Sequence, residues 1–233
     1  MLLLIFLNLF VLEITVDQEM AARFPDLLLG TVEAEVVVTP ASAAFNAEME
    51  AVTSRLEKDL DAEAIRRHPV VAATKNAYRL LGKDPNRYRP AAESLLRRIA
   101  SGKGLYRVNN VVDVLNRVSV ETGFSIGGYD ADKIVGQVAL GIGEAEEAYV
   151  GIGRGDVNIE RLPVFRDEIG AFGTSTSDSV RTMVTEQTRR FWMVLPAFAG
   201  EAAELEAALE LCERYLVEWI GLKAIRIGVQ GLR

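Results

Sequence analysis

The chain has 233 residues, 49% of them hydrophobic and 25% charged, which is the composition of an ordinary globular protein with enough residues for one substantial hydrophobic core. Its 26 basic and 33 acidic residues give a formal net charge of -7, which excludes a general electrostatic attraction to nucleic acid, so any contact with RNA must be local. The single cysteine, Cys212, and the single histidine, His68, exclude an intramolecular disulfide and a Cys/His metal cluster, so we expect no metal, no cofactor and a location in the reducing cytoplasm.

The N-terminal residues predict a strand and no membrane anchor. Residues 1–12 are apolar except for Asn8, but this run is shorter than the roughly 20 residues that a membrane-spanning helix needs. No basic leading region and no small-residue cleavage site, as a signal peptide would have, precede Glu13. Apolar and polar residues alternate from Phe10 to Val16, which is typical of a half-buried strand. We therefore expect no contact with a membrane.

The next residues predict a short helix, a second strand and a long helix. Asp17 can cap a helix that Pro25 ends, and apolar residues alternate with polar ones from 31 to 38. Between Phe45 and Leu60, apolar residues recur at steps of three and four. This spacing places them on one side of an amphipathic helix, where they form part of the core.

Two helices are predicted in the middle of the chain. One runs from about Val70 to Leu81 and ends at Gly82, because glycine tolerates the left-handed conformation of a helix C terminus. Pro90 is well placed to open the second, over residues 91–101, since its ring presets a helical φ.

A basic segment, residues 79–107, overlaps these helices and has eight basic residues against two acidic ones. It fits either a solvated helix face or a local RNA-contact surface, for which Tyr88 and Tyr106 offer rings that can stack on bases. The RNA-binding candidates within it are Arg87, Arg89, Arg97 and Arg98.

The second half of the chain is richer in strands. A helix runs from beyond Val111 to Gly123, Gly127 and Gly128 predict a turn, and an acidic helix over 201–219 buries Cys212. The strands are predicted near 133–140, 147–153, 161–173 and 223–229.

Helices and strands mix without strict alternation, which predicts an α+β fold with mixed sheets and packed helices. We expect residues 1–67 to form an extension packed on a core domain of residues 68–233, within a single compact unit.

A hydroxyl-rich loop, residues 174–182, concentrates candidate site residues. Short hydroxyls and backbone N–H groups can donate to an anion or a polar substrate, and Arg181 adds a planar guanidinium. The same composition also fits a solvated turn held by serine and threonine caps. Asp178 or Glu121 could act as a base or bind an ammonium group.

One run of residues resembles a known family. Arg107-Val108-Asn109-Asn110-Val111-Val112-Asp113-Val114-Leu115-Asn116, followed by Gly123 and Tyr129-Asp130, is similar to the signature of the editing module of the phenylalanyl-tRNA synthetase beta subunit, the B-three/B-four domain. The similarity covers about residues 78–200. It implies the fold of that module and a tRNA or aminoacyl-tRNA partner, because the module removes a wrongly attached amino acid by hydrolysing its ester to the terminal ribose.

The resemblance also implies a pocket for an amino acid, in which Asn116 matches the family's asparagine. Gly127 stands where the family has a histidine, and no acid stands near Leu195 in the place of the family's glutamate. The substrate-binding candidates are Asn116, Gly127, Gly128, Thr174, Ser177, Asp178, Ser179 and Arg181.

Three functions stay open at this point. The protein is an aminoacyl-tRNA ester hydrolase acting in trans, a binding module for amino acid or RNA without chemistry, or a metabolic protein that reuses the pocket. No nucleophile can be named, and because no catalytic core of a synthetase is recognisable, we do not expect a complete synthetase.

Overall fold

The computed structural model describes residues 12–222 and 225–232, and it contains helices together with two four-stranded sheets. The helices of this part of the chain are α1 (Gln18–Arg23), α2 (Ala43–Asp59), α3 (Ala62–Arg67), α4 (Pro69–Leu80), α5 (Ala91–Ala100), α6 (Asn110–Thr122) and α7 (Ala202–Tyr215). The strands are β1 (Ile14–Val16), β2 (Leu28–Glu35), β3 (Gly127–Asp130), β4 (Val138–Ile142), β5 (Val150–Gly151), β6 (Gly155–Asp156), β7 (Pro163–Arg166), β8 (Ala171–Thr174), β9 (Arg190–Ala197) and β10 (Ile225–Gly231). The predicted α+β class is confirmed.

The two larger sheets differ in strand direction. The first has the order β1-β4-β7-β8, in which β1 pairs parallel with β4 and the other pairs are antiparallel. The second has the order β10-β2-β9-β3 and is antiparallel throughout. Strands β5 and β6 form a separate short hairpin.

Strand β9 shows how the molecule is layered. Phe191, Met193 and Leu195 point to one face and belong to a core shared with α6 and α7. Trp192 and Val194 point to the other face and belong to a second core shared with the first sheet. Successive side chains of a strand alternate between faces, so β9, which is apolar at every position after Arg190, is buried on both. The second sheet therefore lies between α6 and α7 on one side and the first sheet on the other.

The N-terminal residues contribute directly to these layers. Strand β2 lies between β10 and β9, and Phe45 and Met49 of α2 join the core on the helical side of the sheet. A third apolar cluster connects α3, α4, α5 and α6. The boundary at residue 67 stays a prediction.

Several predicted element ends are wrong by a few residues, and local contacts explain the differences. The Asp61 carboxylate accepts from two backbone N–H groups of α3, so a new helix starts where the long helix was predicted to end. Asp130 accepts from the N–H of Asp132 and holds a 3-10 turn, which delays β4 to Val138. Helix α7 ends at Tyr215 and continues as a π-helical turn to Ile220.

Two other predictions meet the limits of the described residues. The predicted N-terminal strand is present as β1, but its first residues belong to the range 1–11, which lies outside the described residues. Residues 223 and 224, at the start of the predicted last strand, also lie outside the described residues. No helix within the described ranges is both long enough and apolar enough to cross a bilayer.

Candidate functional site

The two glycines and the hydroxyl-rich loop, which are far apart in sequence, meet in the structure. Gly127 and Gly128 are not a turn, as predicted, but the first half of β3, because they pair with β9. Strand β8 of the other sheet leads into the loop at Thr174. The backbone N–H of Gly128 donates to Oδ2 of Asp178 over 3.1 Å, so the end of one sheet is tied to the loop that leaves the other.

The side chain of Tyr129 explains why glycine is needed on both sides of this junction. A Cβ atom built on Gly127 would lie 2.1 Å from the phenol oxygen, and one built on Gly173 would also lie 2.1 Å from it. The ring packs edge to face on Phe172, with the centroids 5.0 Å apart. The phenol therefore fills the space that a side chain at position 127 would need.

Asp178 has the most unusual electrostatic environment of the predicted site residues. Its Oδ1 atom is buried without a hydrogen-bond partner among the described residues, whereas the residue as a whole keeps some exposed surface. Burial raises the pKa of the carboxyl to about 7, against the opposing effect of the Gly128 N–H and the Tyr129 phenol. A buried carboxyl with such a pKa can exchange a proton near neutral pH or bind an ammonium group.

Two hydroxyls of the loop hold the loop itself. Oγ1 of Thr174 accepts from the N–H groups of Thr176 and Ser177 and donates to the carbonyl of Ser177 over 3.0 Å. Oγ of Ser179 accepts from the N–H of Arg181 and caps the 3-10 turn that follows. Ser177 is half-buried and donates weakly to the adjacent carbonyl at 3.3 Å, so its hydroxyl is the one best able to turn toward a ligand.

Arg181 is engaged in a structural ion pair. Its two terminal nitrogens donate to the carboxylate of Asp167 over 2.9 and 2.8 Å, and further to the carbonyls of Lys133 and Gly170. Burial would raise the pKa of Asp167, but the hydrogen bonds from Arg181 and from backbone N–H groups outweigh it and lower that pKa. The guanidinium thus anchors the end of the loop to the turn between β7 and β8.

Two buried tyrosines that the sequence analysis did not single out support the loop. Oη of Tyr149 donates to the carbonyls of Ser177 and Phe172 over 2.6 and 3.2 Å. Oη of Tyr78 shares a hydrogen bond of 2.9 Å with Oγ1 of Thr176. Neither tyrosine belongs to a motif, and only their distance in space from the loop reveals the role.

Asn116 lies on α6, directly after a residue that contacts this junction. Its neighbour Leu115 packs on Gly128 so closely that a Cβ there would lie 2.4 Å from the Leu115 side chain. Asn116 itself is half-buried, and its side chain has no hydrogen-bond partner in the described part of the chain. Glu121, the alternative base, is instead bound by Nε of Arg117 and Oη of Tyr215, away from the loop.

The basic segment reaches the site through the first turn of α5. The N–H of Ala91 donates to the carbonyl of Ser175 over 2.8 Å, and the N–H of Ala92 donates to Oγ of Ser125. The residues that begin α5 therefore touch both the hydroxyl-rich loop and the segment that leads into β3.

The four RNA-binding candidates differ in their contacts. Nε of Arg97 donates to Glu93 over 2.8 Å, and Nε of Arg89 lies 3.9 Å from the same carboxylate. Arg98 stacks on the exposed ring of Tyr106 at 3.9 Å, and Arg87 is exposed. The guanidinium groups of Arg87 and Arg98 are thus the two that no carboxylate binds among the described residues.

Glu93 is the buried centre of these contacts. Its side chain is 1% exposed and forms an ion pair with Lys75, which is 3% exposed, over 2.9 Å. Burial raises the pKa of Glu93, but the hydrogen bonds from Lys75 and Arg97 have the larger combined effect, so the pKa is lowered. A charge buried this deeply requires its partners.

Two clefts of about 490 and 550 Å³ lie elsewhere on the molecule. The first is lined by Ala131, Gln137 and Arg190, among others, and the second by Val36 and Ile220 among others. None of the predicted site residues lines either cleft. The described residues also contain no group of three or more His, Cys, Asp or Glu side chains placed to hold a metal ion.

A family model and a solved structure are similar to this chain. A family model described as the B3/4 domain matches residues 73–215, a span that contains all the site residues predicted above. A solved N-terminal fragment of the phenylalanyl-tRNA synthetase beta subunit from Pyrococcus horikoshii is similar with 14% identity and a TM-score of 0.46. That match covers 91% of this chain but only 50% of the fragment, so the chain spans about half its length. The sequence matches none of the curated proteins.

Proposed function

The chain belongs to the B3/4 domain family, and from this premise we propose that it binds the aminoacyl end of a tRNA, with the α-ammonium group of the amino acid at Asp178. The observation that carries the proposal is the buried Asp178 carboxylate, to which no cationic side chain of the described residues binds. A cation is the natural ligand of such a group, because it compensates the cost of keeping the carboxylate out of water. A cytoplasmic location, where aminoacyl-tRNA is used, belongs to the same proposal.

Two further polar groups are proposed to bind the rest of the ligand. The Asn116 amide offers both donors and an acceptor to a carbonyl or an ester oxygen, and the Ser177 hydroxyl offers one of each. Gly127 and Gly128 are proposed to act indirectly, by making room for the Tyr129 phenol and the Leu115 side chain. In this proposal Thr174, Ser179 and Arg181 shape the loop without touching the ligand.

The tRNA strand is proposed to lie along the start of α5. Arg87, Arg89, Arg97 and Arg98 lie in the basic segment, whose helix α5 contacts the hydroxyl-rich loop through its first turn, whereas the chain as a whole is negative. Long-range repulsion and local attraction oppose each other, so binding is weak and strongly dependent on salt.

Binding of the amino group can be tested with two stable analogues of the aminoacyl end: an amide-linked phenylalanyl-adenosine, and the same compound without its amino group. We expect the first to bind at least about tenfold more tightly to the wild-type protein, as a charge-assisted hydrogen bond would provide. The Asp178→Asn variant should bind both equally. Equal affinity of the wild-type protein for the two compounds would contradict the proposal.

Hydrolysis of the ester is a second candidate function. The observation in its favour is the pKa of Asp178 of about 7, since a general base works best when its pKa lies near the working pH. Mischarged tRNAs carrying several different amino acids should then lose at least one of them faster in the presence of the protein. Unchanged rates for all of them would leave only the binding function.

A further inference from the structure

The phenol of Tyr129 is a polar group enclosed on all sides. The residue has no exposed surface, and its oxygen lies between Gly127 of one sheet and Gly173 of the other. No hydrogen-bond partner of good geometry is found for this oxygen among the described residues. A buried hydroxyl without a partner costs about 1–3 kcal/mol, so its presence in the core calls for a compensating role.

A second atom without a partner lies next to this phenol. Oδ1 of Asp178 is buried and unbonded, while Oδ2 of the same carboxylate accepts from Gly128, the residue before Tyr129. Each group acts on the ionisation of the other. Burial has the largest effect on the pKa of the phenol and raises it, and the carboxylate raises it further. The phenol in turn lowers the pKa of the carboxyl. Two orphaned polar atoms in one enclosed place can satisfy each other by a small adjustment of either side chain.

We propose that Tyr129 is a positioning residue that sets the proton affinity of Asp178: its phenol donates to Oδ1 when the carboxylate is ionised and leaves it when the carboxyl is protonated. The use of this pair in catalysis rests on the proposed function of the site. The two glycines are then required so that the phenol reaches the carboxylate from within the core.

In ester hydrolysis the pair acts as follows. The Asp178 carboxylate removes a proton from a water molecule while the water oxygen adds to the ester carbonyl. The bond from that carbon to the ribose oxygen then breaks, and the ribose oxygen takes the proton from Asp178. Free amino acid and tRNA with a free hydroxyl result, and Tyr129 keeps its own proton throughout.

Few other ionisable groups face this pair. Tyr149, from the turn before β5, lies beside both groups, and Tyr78 of α4 supports the other side of the loop. Arg181 and Arg154 exert weaker effects on those two tyrosines. Tyr78 is therefore a suitable control, because it loses a buried hydroxyl near the same loop without acting on Asp178.

The test follows the side-chain carboxyl carbon of Asp178 by NMR during a pH titration of the free protein, with the signal assigned by its loss in Asp178→Asn. In Tyr129→Phe the midpoint should move upward by about one pH unit, the size expected when a charge-assisted hydrogen bond is lost. In Tyr78→Phe it should stay where it is in the wild type. A folded Tyr129→Phe protein with an unchanged midpoint would overturn the inference.

A milder change covers the case in which Tyr129→Phe does not fold. Fluorotyrosine placed at position 129 makes the phenol a stronger donor and adds only one small fluorine atom to the ring, so the midpoint should fall below that of the wild type. An unmoved midpoint would again overturn the inference.

If deacylation is present, the acid limb of its pH profile should move with the NMR midpoint in each variant. A shifted midpoint in a protein without deacylation would reject the hydrolytic function and support the Tyr129–Asp178 pair. Deacylation with an unmoved midpoint would support the hydrolytic function and reject the pair.

Discussion

Individual residues of the site owe their chemistry to what surrounds them. Asp178 is an ordinary carboxylic acid in sequence, but its pKa of about 7 results from burial that one N–H and one phenol offset only in part. Glu93 is buried more completely, and its pKa is nevertheless lowered, because Lys75 and Arg97 bind it. The difference between these two acids is the presence or absence of a cationic partner.

The shift at Asp178 predicts how stability depends on pH. Because the pKa is raised in the folded protein, the contribution of this group is fully present below its ordinary pKa of 3.8 and is lost as the pH rises through about 7. Asp178→Asn avoids that loss, so it should be more stable than the wild type by about 2 kcal/mol at pH 8 and equal to it near pH 4. Urea unfolding at the two pH values measures this, and equal stability at pH 8 would contradict it.

Glu93 predicts the opposite behaviour. Replacing it by glutamine leaves Lys75 buried without its partner, so Glu93→Gln should lower the free energy of unfolding by about 3 kcal/mol at pH 7. The lowered pKa means that this stabilisation is present above the ordinary value of 4.5 and is lost as the pH falls through the folded value. The matched control is Glu19→Gln, which breaks an exposed ion pair with Arg23 and should cost less than about 0.5 kcal/mol.

At the scale of elements, the site exists because the last strand of each sheet presents a glycine to the same phenol. Strand β3 is an edge strand of the second sheet and β8 of the first, and Tyr129 bridges the space between them. The first turn of α5 closes the junction from another side through its N–H groups. The position of Asp178 therefore depends on the relative placement of two sheets and a helix.

This arrangement predicts a coupling between Gly173 and Tyr129. Gly173→Ala should destabilise the protein by about 2 kcal/mol, since the new Cβ would lie 2.1 Å from the phenol oxygen. In a Tyr129→Phe background, which lacks that oxygen, the cost of the same change should be smaller by about 1 kcal/mol. Gly231→Ala is the control, because its Cβ would meet Leu28 at an ordinary 3.4 Å. Equal costs of Gly173→Ala in the two backgrounds would refute the coupling.

For the whole molecule, the distribution of charge matters more than its sum. In a chain of net charge -7, eight of the 26 basic residues lie in the segment 79–107, and α5 within this segment contacts the hydroxyl-rich loop at Ser175. Such an arrangement favours a partner that is anionic along its backbone and carries a cation at one end, as an aminoacyl-tRNA does. The division into an extension of residues 1–67 and a core domain of 68–233 stays a proposal.

Binding of tRNA should depend on the two arginines that no carboxylate binds among the described residues. Replacing both Arg87 and Arg98 by glutamine should weaken tRNA binding. In a plot of the logarithm of the binding constant against the logarithm of salt concentration, the slope should become less steep by about 2. Both substitutions spare Glu93 and its partners, so the fold should be retained. Arg66→Gln, an exposed change outside the basic segment, serves as the control and should leave the slope unchanged.

The sequence by itself determined the type and order of most elements and the family. The periodic spacing of apolar residues in α2, the left-handed Gly123 after α6 and the run from Arg107 to Asn116 are local patterns, and local backbone preferences suffice to interpret them.

Only the tertiary structure decided the chemistry of the site. The hydrogen bond from Gly128 to Asp178 joins residues 50 positions apart, and Tyr78 reaches Thr176 over 98 positions. The sequence predicts that Arg181 binds an anion or a polar substrate, yet its guanidinium binds the carboxylate of Asp167. Hydrogen-bond partners and pKa values depend on distances through space and on exclusion of water, which a linear spacing of residues does not specify.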